Sequence, residues 1–353
     1  MGKLYTALKL CMVMIGGLSA IPDSLAQTPA KRLFGGKALP SAQNAAAHGF
    51  YSKGCLSGGV AIPVDGPNWQ AMRLSRNRRW GHPTLIGIIE QLSYKAKNDG
   101  WNGILVGDIS QPRGGPMLTG HRSHQMGLDA DLWFMPMPNK RYSYNERENT
   151  SAISVLKKGS YYVDKSRWTR AHTMLLYHAA SFPQIERILV HPGIKKQLCD
   201  TVKGNRAWLN KIRPTWGHHY HFHLRIGCPP GSPNCRTQKS TGSATGCEAA
   251  TMNWWFNVGL KPAKPKPGVK PRKRRELILN DLPQACQVVL KSGSPNLEQA
   301  THRPIDASFV APKIELPAYS ISTVLRGKPI EASKNGASIP ISTLPIPSRS
   351  PRK

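Results

Sequence analysis

Residues 216–225 read WGHHYHFHLR, and from the second histidine onward ionisable and apolar side chains alternate. The ionisable face consists of His219, His221, His223 and Arg225. The apolar face consists of Tyr220, Phe222, Leu224 and Ile226. This period of two predicts a β-strand whose apolar face packs on a core, with successive imidazoles about 7 Å apart on the other face. The strand is therefore expected to present several imidazoles to one site.

A second stretch, residues 120–133, reads GHRSHQMGLDADLW and concentrates histidine and aspartate. Between residues 128 and 134 it also alternates, with Asp129 and Asp131 on the face opposite the apolar side chains. The alternation predicts another strand. Because a carboxylate on a neighbouring strand can complete a site with imidazoles, the two stretches together indicate one polar centre.

These residue types suit a catalytic zinc site. Such a site uses three protein ligands and leaves one position for water, whose pKa the metal lowers to about 7. His124, Asp131 and His223 would supply two imidazoles and one carboxylate, and His221 could then act as a general base. No HExxH helix is present, which excludes the zincin arrangement. A surface histidine patch and an adventitious metal binder are the alternatives for this pattern.

Elsewhere in the body of the chain, helices and strands follow each other irregularly. Pro83 is expected to begin a helix. Apolar residues then recur at helical spacing, at Leu85, Ile88, Ile89 and Leu92. Further predicted elements are strands at 104–106 and 185–190 and a helix at 169–182. Since regular βαβ spacing is lacking, the sequence favours an α+β fold.

Residues 1–26 have the composition of a secretory signal peptide. Lys3 and Lys9 precede the apolar run LCMVMIGGLSAI, and Ala26 offers a cleavage point. The run is too short for a stable membrane span, and no later stretch is long and apolar enough to form one. An uncleaved N-terminal anchor is the alternative.

Export also bears on the cysteines. Removal of the signal peptide takes away Cys11 and leaves six cysteines. An oxidising compartment favours disulfides over thiolate metal sites, but six cysteines can pair in fifteen ways. Cys228 and Cys235 flank the turn-forming sequence PPGSPN and are expected to close a small ring. A mixture of free and paired thiols is the alternative.

Composition divides the rest of the chain into four segments. Residues 27–54 are expected to be a flexible lead-in, and residues 55–258 form the one domain of catalytic size. Residues 259–286 are a basic, Pro-rich linker that ends at a cysteine. Residues 287–353 are a Pro- and Ser-rich tail that is expected to be disordered.

The charge of the chain is strongly unbalanced, with 49 Lys and Arg against 19 Asp and Glu and a formal net charge of +30. Such a charge favours a polyanionic partner. Export argues against nucleic acid and favours anionic polymers of the cell envelope, bound through the basic linker. A solvated linker without a partner is the alternative.

The GHRSHQMGLDADLW and HHYHFH segments strongly resemble the penicillin-insensitive murein endopeptidases of the bacterial periplasm, within the LAS group of zinc peptidases. The resemblance covers about residues 55–286, including IRPTWGHHYHFHLRIGCP and LVHPGIKKQLC. It implies an LAS-type peptidase core, with a small antiparallel sheet flanked by helices and loops. It also implies a periplasmic protein, which agrees with the signal peptide and the cleavage near Ala26 that residues 1–26 predict.

The resemblance also implies roles for individual residues. It makes His124, Asp131 and His223 the zinc ligands and His221 the catalytic base. His121 resembles an additional histidine of the site, close enough to touch metal or substrate. Some relatives carry a further Asp/His pair that could hold a second metal; the stretch near 158–161 lacks it, so one zinc ion is predicted.

The family resemblance and the strand alternation differ on which histidine lies beside His221. By resemblance, His218 helps to stabilise the transition state, whereas strand alternation places His219 beside His221. A turn or bulge at 217–218 would reconcile them, because a bulge re-aims one side chain. We therefore expect His218 to belong to the site.

Disulfide pairing is implied by the same resemblance. The cysteine spacing follows that of the family, and the implied pairs are Cys55–Cys286, Cys199–Cys247 and Cys228–Cys235.

The function that the resemblance implies is zinc-dependent hydrolysis of the peptide cross-links of peptidoglycan, chiefly the D-alanyl–meso-diaminopimelyl bond. Penicillin should not inhibit it, because β-lactams acylate serine enzymes and no serine acyl-enzyme is expected. A D,D-carboxypeptidase of the same group and a non-catalytic wall-binding protein are the alternatives.

Overall fold

The computed structural model describes residues 27–262, residue 268 and residues 275–326. The predicted signal peptide at 1–26, most of the basic stretch and the end of the tail lie outside these residues. The expected binding of envelope polymers by the linker therefore stays a prediction. Within the described ranges, no helix has the length and apolar character needed to cross a bilayer.

The secondary structure combines short strands with helices of varied length. The strands are β1 (Ala46–Phe50), β2 (Lys53–Ser57), β3 (Val60–Ala61), β4 (Asp65–Gly66), β5 (Trp69–Ala71), β6 (Trp80–Gly81), β7 (Ile104–Val106), β8 (Asp129–Pro136), β9 (Ile185–Val190), β10 (Ile212–Pro214) and β11 (His221–Ile226). The helices are α1 (Ala30–Gly35), α2 (Pro83–Asn98), α3 (Tyr144–Asn149), α4 (Arg170–Ser181), α5 (Pro192–Thr201), α6 (Ala249–Trp254), α7 (Ala285–Lys291) and α8 (Ile321–Arg326). Short 3₁₀ turns lie at Leu74–Arg76, Ala207–Lys211 and Leu279–Asp281, and a π turn at Trp255–Gly259.

A seven-stranded sheet in the order β10-β9-β11-β8-β7-β5-β4 organises the molecule. The α+β class is confirmed, and most of the strand pairs are antiparallel, as expected. Two pairs, β9–β10 and β5–β7, are parallel, which the expected small antiparallel sheet did not include. Parallel neighbours need a crossover connection, and here these connections contain α5 and α2.

Helix α2 shows how local sequence produces an element. Pro83 occupies its first turn, as predicted, and the His82 side chain accepts a hydrogen bond from the Thr84 amide at 3.2 Å. Its apolar stripe is buried, together with α4, against one face of β8 and β11. Representative members of this core are Leu85, Ile89, Leu132, Phe134, Leu175 and Phe222. The other face of β8 and β11 remains for polar side chains.

The structure differs from expectation at both flanks of the domain. The lead-in, expected to be flexible, contains α1 and β1, and Phe34 is fully buried. The tail, expected to be disordered, completes α7, and Val289 joins Phe34 in a cluster around the Cys55–Cys286 disulfide. These apolar residues are isolated in the sequence, so composition could not show that they share one cluster.

Further along the tail, residues 300–305 contact the domain. Ala300 and His302 exchange backbone hydrogen bonds with Ala61, at 2.8 and 2.9 Å. The buried carboxylate of Glu90 on α2 is 2.7 Å from Nε2 of His302 and accepts the Ile305 amide at 2.7 Å. This part of the tail is therefore attached to the domain through a buried acceptor.

All three predicted disulfides are confirmed: Cys55–Cys286, Cys199–Cys247 and Cys228–Cys235. The first joins β2 to α7 across a sequence separation of 231 residues, and the last spans 7. A cross-link over a longer loop removes more conformational freedom from the unfolded chain.

Replacing Cys55 and Cys286 together by alanine should therefore lower the free energy of unfolding by about 2–5 kcal/mol. The matched variant Cys228→Ala/Cys235→Ala should lose less, because its loop is short. Urea unfolding of both variants and the unaltered protein measures the difference. Equal losses would contradict an origin in loop length.

Candidate active site

The pairing of β8 with β11 brings the two polar stretches together. In this antiparallel register His223 lies directly opposite Asp131, and Arg225 lies opposite Asp129. All four side chains are buried, on the face of the sheet that looks away from the main core. The predicted meeting of a carboxylate strand with a histidine strand is thus present in the fold.

Three atoms that could donate an electron pair to a metal ion, two nitrogens and one oxygen, converge at the centre of this face. Nε2 of His124 lies 3.1 Å from Nδ1 of His223, and both nitrogens approach Oδ1 of Asp131, at 3.4 and 3.3 Å. That oxygen is buried and has no hydrogen-bond partner in the described part of the chain. We call these three atoms the donor triangle.

The outer nitrogens of the two imidazoles fix their tautomers. Nδ1 of His124 is 2.6 Å from the carbonyl oxygen of Ile109, and Nε2 of His223 is 2.7 Å from a carboxylate oxygen of Asp129. Each of these nitrogens therefore carries the proton and donates it. When both rings are neutral, the inner nitrogens are left with lone pairs directed at the carboxylate of Asp131, so the donor triangle fits a cation, and its N and O atoms suit zinc.

Asp129 positions both sides of the triangle. Its Oδ2 accepts the backbone amide of His124 at 3.0 Å, while its Oδ1 accepts the proton of His223 and a 2.6 Å hydrogen bond from Nε of Arg225. Burial alone would raise the pKa of Asp129, but Arg225 and His223 outweigh it and hold that pKa far below its usual value. The carboxylate is thus ionised and can orient both imidazoles.

The loop before β8 carries His124 in an uncommon conformation. His124 has a φ of 69°, in the left-handed region that only a few per cent of non-glycine residues adopt. Gly127 follows with a φ of 66°, where a Cβ would lie 2.6 Å from the side chain of Leu56. This turn directs the imidazole of His124 back toward β11, and strain of this kind is typical of functional sites.

His121 lies at the edge of the triangle, where the resemblance placed it. Its Nε2 is 3.5 Å from Oδ2 of Asp131 and 3.1 Å from Oδ2 of Asp108. Donor atoms of His121, His124 and Asp131 lie within 4.8 Å of one another, a grouping that could also hold a metal ion. Asp108 is in turn bonded at 2.9 Å by Arg78, which fixes its carboxylate.

His221 is positioned to exchange protons beside the triangle. Its Nε2 lies 3.5 Å from Oδ2 of Asp131, and its side chain is almost completely buried. Burial lowers the pKa of His221 to about 3, with Asp131 opposing the shift. The imidazole is therefore neutral near neutral pH and can accept a proton. His223, by contrast, is buried as well, but Asp129 and Asp131 raise its pKa to about 8. Without a metal ion Nδ1 of His223 therefore holds a proton near neutral pH, and a metal ion bound there would displace it.

His218, and not His219, lies beside these residues. His218 has a φ of 54°, and its ring centroid is 5.0 Å from that of His221 and 5.9 Å from that of His223. His219 turns away and places its Nδ1 2.9 Å from the hydroxyl of Ser154. The position expected for His219 from strict alternation is wrong, because the strand begins only at His221 and a left-handed turn precedes it.

The chain also matches a known protein family. A sequence profile described as penicillin-insensitive murein endopeptidase matches residues 47–291, more than half of the chain. The chain belongs to this family.

Curated members of the penicillin-insensitive murein endopeptidase family from several bacteria resemble the chain over most of their length. The protein of that name from Haemophilus influenzae is 38% identical over 244 residues, which cover 69% of this chain and 82% of the relative. The one from Klebsiella pneumoniae subsp. pneumoniae is 34% identical over 283 residues, covering 80% and 98%. The one from Salmonella heidelberg is 35% identical over 268 residues, covering 76% and 92%.

Sequence reasoning missed three side chains that organise the site of this family member. Asp129 and Arg225 lie on the predicted polar faces, but the sequence argument assigns them no role. Their spacing of two residues from Asp131 and His223 places them on the same faces and was the signal that could have identified them. Asp108 follows the buried strand β7, and its approach to His121 depends on how that strand pairs with β8. No pattern in the sequence marked it.

Replacing Asp129 by asparagine should weaken the affinity of the donor triangle for added zinc by about 10–100-fold, because the amide cannot act as an ionised acceptor for His223 and Arg225. Competition with a chromophoric chelator measures the affinity. Asp200→Asn, a change at an exposed carboxylate on α5, is the matched control and should leave the affinity unaltered. An Asp129→Asn protein that melts normally and keeps its zinc affinity would refute the positioning role.

Proposed function

We propose that this protein is a zinc-dependent endopeptidase that hydrolyses the peptide cross-links of murein in the periplasm, after removal of an N-terminal signal peptide. The observation that carries the proposal is the donor triangle, in which two imidazole nitrogens and an unpartnered carboxylate oxygen meet beside a neutral His221. Membership of the penicillin-insensitive murein endopeptidase family supports murein as the substrate.

His124, Asp131 and His223 would hold the zinc ion. When bound, zinc supplies Lewis-acid polarisation of a carbonyl oxygen and makes water nucleophilic near neutral pH. We propose a single ion, because the donor triangle accounts for three ligands and His121 is already 3.1 Å from Asp108. His121 is then left to contact substrate or to approach the metal from the edge.

His221 supplies the proton transfers in this proposal. As a neutral, buried imidazole it accepts a proton from the attacking water and later delivers a proton to the leaving amine. Asp131, 3.5 Å away, stabilises the protonated ring in between. No serine nucleophile takes part, so penicillin has no residue to acylate.

His218 would assist at the carbonyl oxygen of the substrate. Its Nδ1 is 2.8 Å from the carbonyl oxygen of Trp216 and donates its proton there, so Nε2 is the atom available to a substrate. Burial and the nearby His223 lower the pKa of His218 to about 4, so the ring is neutral in the resting site and Nε2 accepts a hydrogen bond. Nε2 would donate to a developing oxyanion when the negative charge of that oxyanion draws a proton onto the ring.

Purified murein sacculi distinguish this function from its alternatives. The protein should release monomeric muropeptides from cross-linked dimers by cutting the D-alanyl–meso-diaminopimelyl bond, with or without penicillin. A chelator should stop the release and added zinc should restore it, because the donor triangle would lose and regain its ion. Free D-alanine as the main product would indicate a carboxypeptidase, and chelator-insensitive cleavage would exclude the zinc mechanism.

His221→Ala should lower the turnover rate by roughly 10²–10⁴-fold while zinc remains bound, because only proton transfer is lost. His124→Ala should lose both zinc and activity. His178→Ala removes a histidine that pairs with Asp99, outside the site, and should behave like the unaltered protein. Zinc content and muropeptide release, measured on the same samples, test all three variants. Normal turnover by His221→Ala would reject the assigned base.

A further inference from the structure

A second concave site lies on the opposite side of the central sheet from the donor triangle. It is a cavity of about 580 Å³ between the start of α4, the end of α5 and the 3₁₀ turn Ala207–Lys211. Trp168 in its wall packs on the ring of Phe134, at a centroid distance of 5.7 Å. Phe134 belongs to the core face of β8, whereas Asp131 is on the other face. A ligand in this cavity therefore cannot be the one bound at the donor triangle.

Aromatic rings form one part of the cavity wall. Tyr177 and Trp208 meet edge to face at a centroid distance of 5.6 Å, and 40% of Tyr177 is exposed. The indole N–H of Trp168 is satisfied by the hydroxyl of Thr173 at 3.1 Å, so this ring is held in place and presents carbon to the cavity. One face of Trp168 is covered by the stacked ring of His172 at a centroid distance of 5.0 Å. Tyr177 and Trp208 are therefore the rings that can pack against the C–H groups of a saccharide ring.

The remaining lining is cationic and neutral polar. Arg170 and Lys203 are exposed at the cavity, and within the described part of the chain neither side chain has an ion-pair partner. None of the described residues that line the cavity is acidic, and the nearby Asp200 is paired with Lys196 at 2.9 Å. The charge is therefore complementary to a carboxylate.

Neutral polar groups complete the lining. Oδ1 of Asn205 accepts the Ala207 amide at 3.0 Å, which leaves its amide N–H groups for a ligand, and Gln197 adds a second carboxamide. Aromatic faces, amide groups and two cations together suit a ligand that combines sugar rings with free carboxylates. A volume of about 580 Å³ is within the usual range for a small-molecule site.

We propose that this cavity binds an uncleaved glycopeptide repeat of murein, a disaccharide with its acidic stem peptide, and so anchors the protein on the polymer. This inference rests on the proposed function for the identity of the polymer. A protein that holds one repeat in the cavity meets the neighbouring cross-links at a raised effective concentration. The anchor therefore matters for the polymer and not for a short soluble substrate.

Calorimetric titration with purified, uncross-linked disaccharide–tetrapeptide tests the binding step directly. It is carried out in full-length His221→Ala protein, so that the result does not depend on hydrolysis and separates failure of this inference from failure of the proposed function. Trp208→Ala, Arg170→Glu and Lys203→Glu, each added to that protein, should weaken binding by roughly tenfold, as expected for the loss of an aromatic or charged anchor. Thermal melting verifies that Trp208→Ala is folded. Arg170 and Lys203 are exposed, so the two charge variants test the binding even if Trp208→Ala does not fold.

Matched controls and probes make the outcome decisive. Trp254→Ala changes a tryptophan that is 52% exposed outside the cavity, and Lys313→Glu repeats the charge change on the tail; neither should alter binding. The sugar-free tetrapeptide and the uncharged disaccharide should each bind more weakly than the intact glycopeptide. No binding, binding that the cavity variants leave unchanged, equal binding of either fragment, or tighter binding of adenosine monophosphate would overturn the proposal.

An activity measurement on two substrates tests the anchoring step. In protein with intact His221, the charge variants should slow cleavage of sacculi by roughly tenfold and leave cleavage of a soluble cross-linked dimer unchanged. Equal slowing on both substrates, or no slowing on sacculi, would contradict an anchor on the polymer.

Discussion

The antiparallel pairing of β8 with β11 is the constraint on which the rest of the site depends. Side chains alternate along a strand, so burial of the apolar faces of both strands fixes their register. A slip of one residue would turn Phe222 outward and send His223 into the core. The opposition of His223 to Asp131 is therefore held by hydrophobic packing on the far side of the sheet.

That pairing also concentrates charge where water cannot reach it, which is costly unless every group is matched. Arg225 and His223 converge on Asp129, and Arg78 with His121 converges on Asp108. Both buried carboxylates are thereby satisfied. Oδ1 of Asp131 is the exception at this centre, since it faces the inner nitrogens of His124 and His223 and accepts no hydrogen bond from the described residues. The surrounding network thus leaves one place for a positive ion.

Periodic patterns in the sequence predicted the elements that they cover. Local backbone conformation and contacts between distant segments could not be predicted from the sequence. Helix α2 and the strand around His223 follow from spacing alone, and the disulfide pairs follow from the family resemblance. The placement of His218 depends on a single positive φ, which alternation does not encode. The burial of Phe34 depends on a cluster assembled from both flanks of the domain. Isolated apolar residues in a sequence do not show which distant residues they will pack against.

The Cys55–Cys286 disulfide closes the chain between these two residues into a covalent ring, in addition to stabilising the fold. Every residue of the site lies between the two cysteines, and so does the Lys- and Arg-rich stretch 261–275, in which residues 272–275 (RKRR) are the basic residues not followed by proline and therefore match the specificity of trypsin-like proteases. A single backbone cut at 272–275 leaves the piece that carries α7 and the tail linked through sulfur to the piece that carries β8 and β11. Reduction of the disulfide as well as proteolysis is needed to break every covalent link between the two pieces.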